Sequence, residues 1–229
     1  MQKFDVNQIK EDDIQDGKML LVDKPLTWTS FDVVKYIRKS LVSKFKIKRI
    51  KVGHAGTLDP LATGLLIICI GKQTKQISIY QNLSKTYTGK FKLGETTPSY
   101  DAETEVNKSF NYDHIKEKDI INLSQKFTGK LMQKPPIFSA LKKNGKRMYE
   151  YARENKNIDI QDREVNIYEF EIIKFEDPFI EFKITCSKGT YIRSIANDFG
   201  KKLNSGSYLS ELRRINIGEF SVLNALQIE

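Results

Sequence analysis

The sequence predicts a mixed α+β fold, a largely antiparallel central sheet with flanking helices. Three observations predict it. Short apolar or alternating runs outnumber helical patterns, most of these runs are joined by hairpin-like connections, and one segment near the carboxy terminus carries a 3.6-residue apolar period. No internal repeat of recognisable period interrupts this pattern.

In order along the chain, Met19 to Val22 reads as a short buried strand, stopped by Pro25, which lacks an amide donor and fixes its own backbone angle. A helix follows. Thr29 or Ser30 can cap it, and Val34, Ile37 and Leu41 fall on one face. "KFKIKRIKV" alternates, Phe45 and Ile47 against Lys44, Lys46 and Lys48, which predicts a half-exposed strand. "GLLIICIG" is a continuous apolar run of buried-strand length, and "KTYTGKFKLG" sets Tyr87, Gly89, Phe91 and Leu93 against polar neighbours. Ile120, Leu123 and Phe127 support a helix over 114–127. The stretch "KLMQKPPIFSALKKNGKRMYEYARE" is broken by Pro135 and Pro136, with "KNGK" as a hairpin turn and a helical end, and is expected to protrude as a mobile insertion. "EVNIYEFEIIKF" and "FIEFKITC" read as antiparallel strands joined around Asp177 and Pro178. Last, Thr190 is expected to cap a helix with Ile192, Ile195, Ala196, Phe199 and Leu203 on one face.

The 229 residues, 39% hydrophobic and 29% charged, suit an ordinary folded protein and are expected to form a single domain over 1–229. No apolar run approaches the roughly 18 residues of a spanning helix, and the polar amino terminus is unlike a secretory signal, so a cytoplasmic location is expected. Cys69 and Cys186 lie in apolar, strand-like segments and read as buried thiols. Two histidines and two scattered cysteines offer no metal-ligand spacing, so no metal site is expected. "IGKQTK" lacks the phosphate-loop pattern, and "SALK" has none of the companions of an acyl-enzyme site.

Net charge is +9, and its distribution is uneven. Residues 33–58 contain no acid but carry eight basic residues, and residues 120–149 are acid-free with Lys126, Lys130, Lys134, Lys142, Lys143, Lys146 and Arg147. Such tracts suit a surface that neutralises phosphates, though a solvated lysine face fits them as well.

Against that basic background stands "VGHAGTLDPLATGLL". Pro60 pushes the backbone of Asp59 toward an extended conformation, and Gly53, Gly56 and Gly64 permit close approach of other backbone. From spacing alone, this is either a presented carboxylate or an ordinary Asp-Pro turn. His54 could carry a proton or wedge a ligand, or be structural. Arg193 falls in the first turn of the Thr190 helix, where the macrodipole disfavours a cation, so a carboxylate partner is expected, with Asp59 a candidate. Tyr87 and Tyr191 fit core or rim positions as well as a base-stacking platform.

"GHAGTLDPLATGLL", with "LLVDKP" before it, "KTY" after it and "CSKGTYIRSIANDFG" ahead of "ELRRI", closely resembles the TruB family of tRNA pseudouridine-55 synthases, in order from about Lys18 to about Phe220. The resemblance implies the pseudouridine synthase fold and a cofactor-free isomerisation of the T-loop uridine of tRNA. It makes Asp59 the catalytic nucleophile, pairs it with Arg193, and places Tyr87 under the base. By motif match, Tyr191 and Leu212 line the pocket, and His54 lies where the uridine leaves the stack. Lys24 and Pro25 buttress the loop. The basic insertion at about 130–160, with Lys142, Lys146 and Arg147, is implied to clamp the T-arm of tRNA; no obligate protein partner and no membrane are expected, and the protein is expected to be a monomer.

Two departures stand out. The chain stops at "LNALQIE", so no carboxy-terminal PUA-type RNA-binding domain is expected, and the lysine tract from Lys44 to Lys51 is a candidate compensation. Thr27 stands where the family pattern "KPxG" has glycine, which questions the local turn. The alternatives are a non-catalytic tRNA-binding or remodelling protein, a guide-RNA-dependent synthase of ribosomal RNA, and an N-glycosidase using Asp101 to activate water.

Overall fold

The computed structural model describes residues 2–139, 141–143, 145–154 and 158–228, without the side chains of Lys142 and Lys143. The main elements are β1 (Lys18–Lys24), α1 (Ser30–Phe45), β2 (Val52–His54), β3 (Ala62–Ile70) and β4 (Lys85–Leu93), then α2 (Glu117–Lys126) and β5 (Gly129–Gln133). They are followed by β6 (Arg163–Glu176), β7 (Phe179–Cys186), α3 (Ile192–Lys202), β8 (Ser207–Ile217) and β9 (Leu226–Gln227). The chain divides into two compact units, Met1–Tyr87 with Leu212–Glu229, and Thr88–Glu211.

In the first unit β3 is central. It pairs antiparallel with β1 over Gly64–Ile70, antiparallel with β2 at Ile68–Ile70, and parallel with the end of β8 at Ala62–Gly64. Because successive side chains of a strand point to opposite faces, its apolar run serves two cores. Leu66, Ile68 and Ile70 pack with Leu20, Val22 and the buried face of α1, Val33, Val34, Ile37 and Leu41. Leu65, Ile67 and Cys69 pack with Ala55, Ile217, Val222 and Ala225. A strand buried on both sides has no polar alternation to show, which is why this segment reads as continuous.

Helix α1 opens on a capping box: Thr29 Oγ1 accepts from the Asp32 amide at 3.0 Å and Asp32 accepts from the Thr29 amide at 2.9 Å. The expected strand over Lys44–Val52 does not form. The helix runs on to Phe45, Lys46 leaves it in a left-handed conformation (φ 50°), and pairing begins only at Val52. Phe45 and Ile47 instead pack at the edge of the α1 core. Lys44 is also withdrawn from the basic tract, since its Nζ donates to the carbonyls of Val6, Asn7 and Ile9.

In the second unit the strands run in the order β8, β4, β7, β6, β5. β6 and β7 pair antiparallel across the Asp177–Pro178 turn, as expected, and β5 pairs antiparallel with β6. Phe91, Phe127, Phe170, Phe182 and Phe199 form an aromatic core with centroid separations between 4.2 and 6.2 Å. Phe199, Ile192, Ile195 and Ala196 supply the buried face of α3, in line with the period read from the sequence. Thr190 does not cap that helix. Tyr191 holds the capping position without a side-chain bond, and Thr190 Oγ1 turns back to the Ser187 carbonyl at 2.9 Å.

Candidate functional site

In the first unit the loop carrying Asp59 is fastened through its backbone. Ser30, the first residue of α1, accepts from the Leu58 amide at 2.8 Å and donates to the Leu58 carbonyl at 3.1 Å. Lys24 is fully buried; its Nζ donates to the carbonyls of Pro25 (2.8 Å) and Trp28 (2.6 Å) and reaches Pro60 at 3.4 Å. The Thr27 amide also donates to the Pro60 carbonyl, at 2.9 Å, and the Ala62 amide donates back to Asp59 at 3.0 Å. Lys24 therefore holds the loop from beneath. Thr27 fulfils the glycine-like geometry of its position at φ 70°, a left-handed conformation that a β-branched residue rarely adopts.

Arg214 completes the cradle, and the sequence offered it only as part of "ELRRI". It is 1% exposed; Nε donates to the Leu65 carbonyl at 2.7 Å, and its terminal nitrogens donate to Gly56 at 3.1 Å and Thr57 at 3.4 Å. Gly64 makes this possible: at φ 106° a Cβ there would lie 2.3 Å from the Arg214 carbonyl oxygen. Beside it, Arg213 forks onto Asp23 at 2.6 and 3.0 Å and reaches Thr63, joining β8 to β1 across β3.

The charges within this unit act on one another. Burial pulls Lys24 down to about 8, opposed by the negative charge of Asp59. His54, on β2 opposite Ile68, is held below the usual histidine range by burial first and then by Arg214, so it is neutral at physiological pH. Leu212 pairs in register with Ala62 at the end of the loop, and Tyr87 is buried in β4.

The second unit holds Tyr191 and Arg193. Arg193 is 3% exposed; its Nε lies 3.5 Å from Oδ2 of Asp101, and Nη1 donates to the Ser99 carbonyl at 3.4 Å. A carboxylate does meet the cation in the first turn of α3, and within this unit it is Asp101, a residue the sequence had suggested only for water activation. The Tyr191 ring stacks under the Arg163 guanidinium at 4.6 Å. Further along, Lys142–Lys143 and Lys146–Arg147 pair as a hairpin that leads into a helix at Met148–Arg153. Lys146 is bound to Glu154 and lies 5.0 Å over Tyr151, and the hydrogen bond to Glu154 raises its affinity for a proton. The side chain of Lys142 lies outside the described residues.

Cys69 and Cys186 are buried and joined by no disulfide. Among the described residues no cluster of His, Cys, Asp or Glu is fit to hold a metal, and no helix is long and apolar enough to cross a membrane.

A family model described as TruB family pseudouridylate synthase (N terminal domain) matches residues 42–192. The tRNA pseudouridine synthase B of Flavobacterium johnsoniae is 54% identical over 214 residues, covering 93% of this chain and 93% of that protein. That of Chloroherpeton thalassium is 52% identical, covering 92% of this chain and 87% of its own. The fold is similar to that in the crystal structure of a Cbf5-Nop10-Gar1 complex, with a TM-score of 0.69 and 26% identity over 95% of this chain. This chain spans 54% of that one, about half its length. Fold and matches together define a pseudouridylate synthase. The chain belongs to the TruB family.

Proposed function

We propose that the protein converts uridine to pseudouridine in the T-loop of tRNA, at position 55, with Asp59 as nucleophile. Substrate and product are isomers: the bond from ribose C1′ to uracil N1 breaks, the base turns, a bond from C1′ to C5 forms, and the C5 proton is lost while N1 gains one. The balance needs no oxidant, reductant or cofactor. A single carboxylate in a fixed orientation suffices, which is the form of the Asp59 loop.

The observation that carries this reading is the fastening of that loop: its peptide groups are bound by Ser30, Lys24, Thr27 and Arg214. Preorganised groups stabilise a transition state without reorganising at the moment of reaction. Arg193 serves as ion-pair partner of the carboxylate and Tyr87 stacks under the base. Tyr191 and Leu212 line the pocket, and His54, neutral, fills the place the uridine leaves. Taking a base out of its stack costs a few kcal/mol, offset by such contacts. Lys142, Lys146 and Arg147 of the insertion bind phosphates of the T-arm. The domain organisation is read as one catalytic body with that insertion, at work in the cytoplasm, where tRNA is.

Nucleoside analysis tests this. Wild-type protein is incubated with a bare T-arm stem-loop and with the same RNA carrying cytidine in place of the target uridine. Pseudouridine at the target in the first RNA and at no position in the second is expected; modification elsewhere, or free uracil among the products, would overturn the reading.

A further inference from the structure

Helix α3 begins without a side-chain cap, yet its capping residue, Tyr191, is held on both sides of its backbone. The holder is Gln133, the last residue of β5, 3% exposed. Its Oε1 accepts from the Tyr191 amide at 2.8 Å, and its Nε2 donates to the Tyr191 carbonyl at 3.1 Å. A carboxamide carries one acceptor and two donors, so a single side chain can match both groups of one residue. One position on, the Lys134 carbonyl accepts from Ser194 Oγ at 2.8 Å. Arg163, the register partner of Gln133 on β6, covers the Tyr191 ring.

The end of β5 is thus strapped to the start of α3 through one buried side chain and one hydroxyl. The strap has Tyr191 at its centre and Arg193 two residues on. It also sits where the chain leaves the sheet for the basic insertion, since Lys134 follows β5 directly. A first turn released from Gln133 would have its leading amide to satisfy elsewhere, its carbonyl would keep only the Ile195 amide at 3.2 Å, and the Arg193 guanidinium would lose the fixed base from which it reaches Asp101.

We infer that Gln133 is a positioning residue of the reaction: through the Tyr191 backbone it sets the orientation of Tyr191 and Arg193, and it ties them to the root of the insertion. This rests on the reading of those two residues as site residues. Gln133 touches neither substrate nor reacting atoms and acts through the start of α3.

The test uses Gln133→Met and Gln133→Glu in the full chain, with single-turnover rates and RNA affinity measured separately on the T-arm stem-loop. Gln133→Met is expected to slow the plateau rate by about 30-fold or more while the dissociation constant stays within about threefold, because orientation and not binding is lost. Gln133→Glu keeps the acceptor for the Tyr191 amide but, when ionised, lacks the donor for the Tyr191 carbonyl. Protonation restores it, so the deficit relative to wild type at each pH should shrink as pH falls. The charged groups facing this position are Asp198, Lys201 and Lys202, which line with Gln133 a cavity of about 290 Å³, and Arg163. Their own titration is common to variant and wild type, and their interaction with the introduced carboxylate sets the pH at which the deficit closes.

A Gln133→Met rate within about threefold of wild type, or a Gln133→Glu deficit independent of pH, would overturn the inference. Should Gln133→Met fail to fold, Ser194→Ala cuts the other bond of the strap and is expected to slow the plateau rate severalfold; an unchanged rate counts against the strap. If wild type itself shows no turnover, the proposed reaction fails, and the strap is then judged by hydrogen exchange at the Tyr191 amide. Gln133→Met, which removes the acceptor, must then speed that exchange at least about tenfold at neutral pH, and unchanged exchange would overturn it.

Discussion

The two regions that carry the candidate site are held in opposite ways. Around Asp59 the restraint falls on the backbone: carbonyls of Gly56, Thr57, Leu58 and Pro60 are bound by Arg214, Ser30, Lys24 and Thr27. At Arg193 the functional side chain is itself bound, to Asp101 and to the Ser99 carbonyl. The difference teaches where mutation should be felt. The loop keeps its backbone fastening when its carboxylate is exchanged, whereas separating the buried cation from Asp101 costs both stability and chemistry.

The largest effects break that comparison if it is wrong. Asp59→Asn should lower turnover by at least about 10³-fold and cost less stability than Asp101→Asn, because the backbone bonds of the loop remain. Asp101→Asn should lower turnover and also cost about 3–5 kcal/mol by urea unfolding, since the buried Arg193 loses the negative charge that Asp101 supplies within its unit. Equal stability of the two variants would show that the side chains are held alike. Next comes Arg214→Leu, which leaves the carbonyls of Gly56, Thr57 and Leu65 short of donors; a loss of about 2–4 kcal/mol is expected, with turnover reduced as the loop relaxes.

A smaller effect depends on pH. Lys24 titrates at about 8, below its ordinary 10.5. Between these values the unfolded chain binds more protons than the folded one, so this group adds stability as pH rises through that window. The stability advantage of wild type over Lys24→Met should therefore widen from about pH 8 to pH 10, and a constant gap in urea midpoints would contradict the burial of a charged Lys24. The smallest effect is at Thr27. Removing the side chain relieves a left-handed β-branched residue but frees the unfolded chain, so Thr27→Gly should gain at most about 1 kcal/mol, seen as a rise of a few degrees in melting temperature.

Much of the fold is visible in the sequence wherever a face is buried in a regular rhythm. The unbroken run of β3, the alternation of β4 and the 3.6-residue period of α3 each reflect local geometry. The Lys44–Lys51 tract misleads because its alternation is short, and the capped α1 simply extends into it, with Lys44 drawn to the amino-terminal segment. Thr190 is a plausible cap by type, but the turn before α3 claims its hydroxyl for Ser187. At the site, the glycines and the Asp-Pro step mark the loop as constrained. What constrains it is remote: Arg214 lies 158 residues from Gly56, and Gln133 lies 58 from Tyr191. No periodicity spans such distances. Asp101 likewise stands nowhere near Arg193 in the chain, and only the folded second unit joins them.

The measurement that tests the central claim most directly is tritium release from uracil C5 in a T-arm stem-loop, followed under single-turnover conditions with wild-type protein. That hydrogen leaves only when C5 becomes the glycosidic carbon. The account expects one tritium released per target uridine and none from the RNA with cytidine at that place. Retention of tritium by an RNA that the protein demonstrably binds would contradict it.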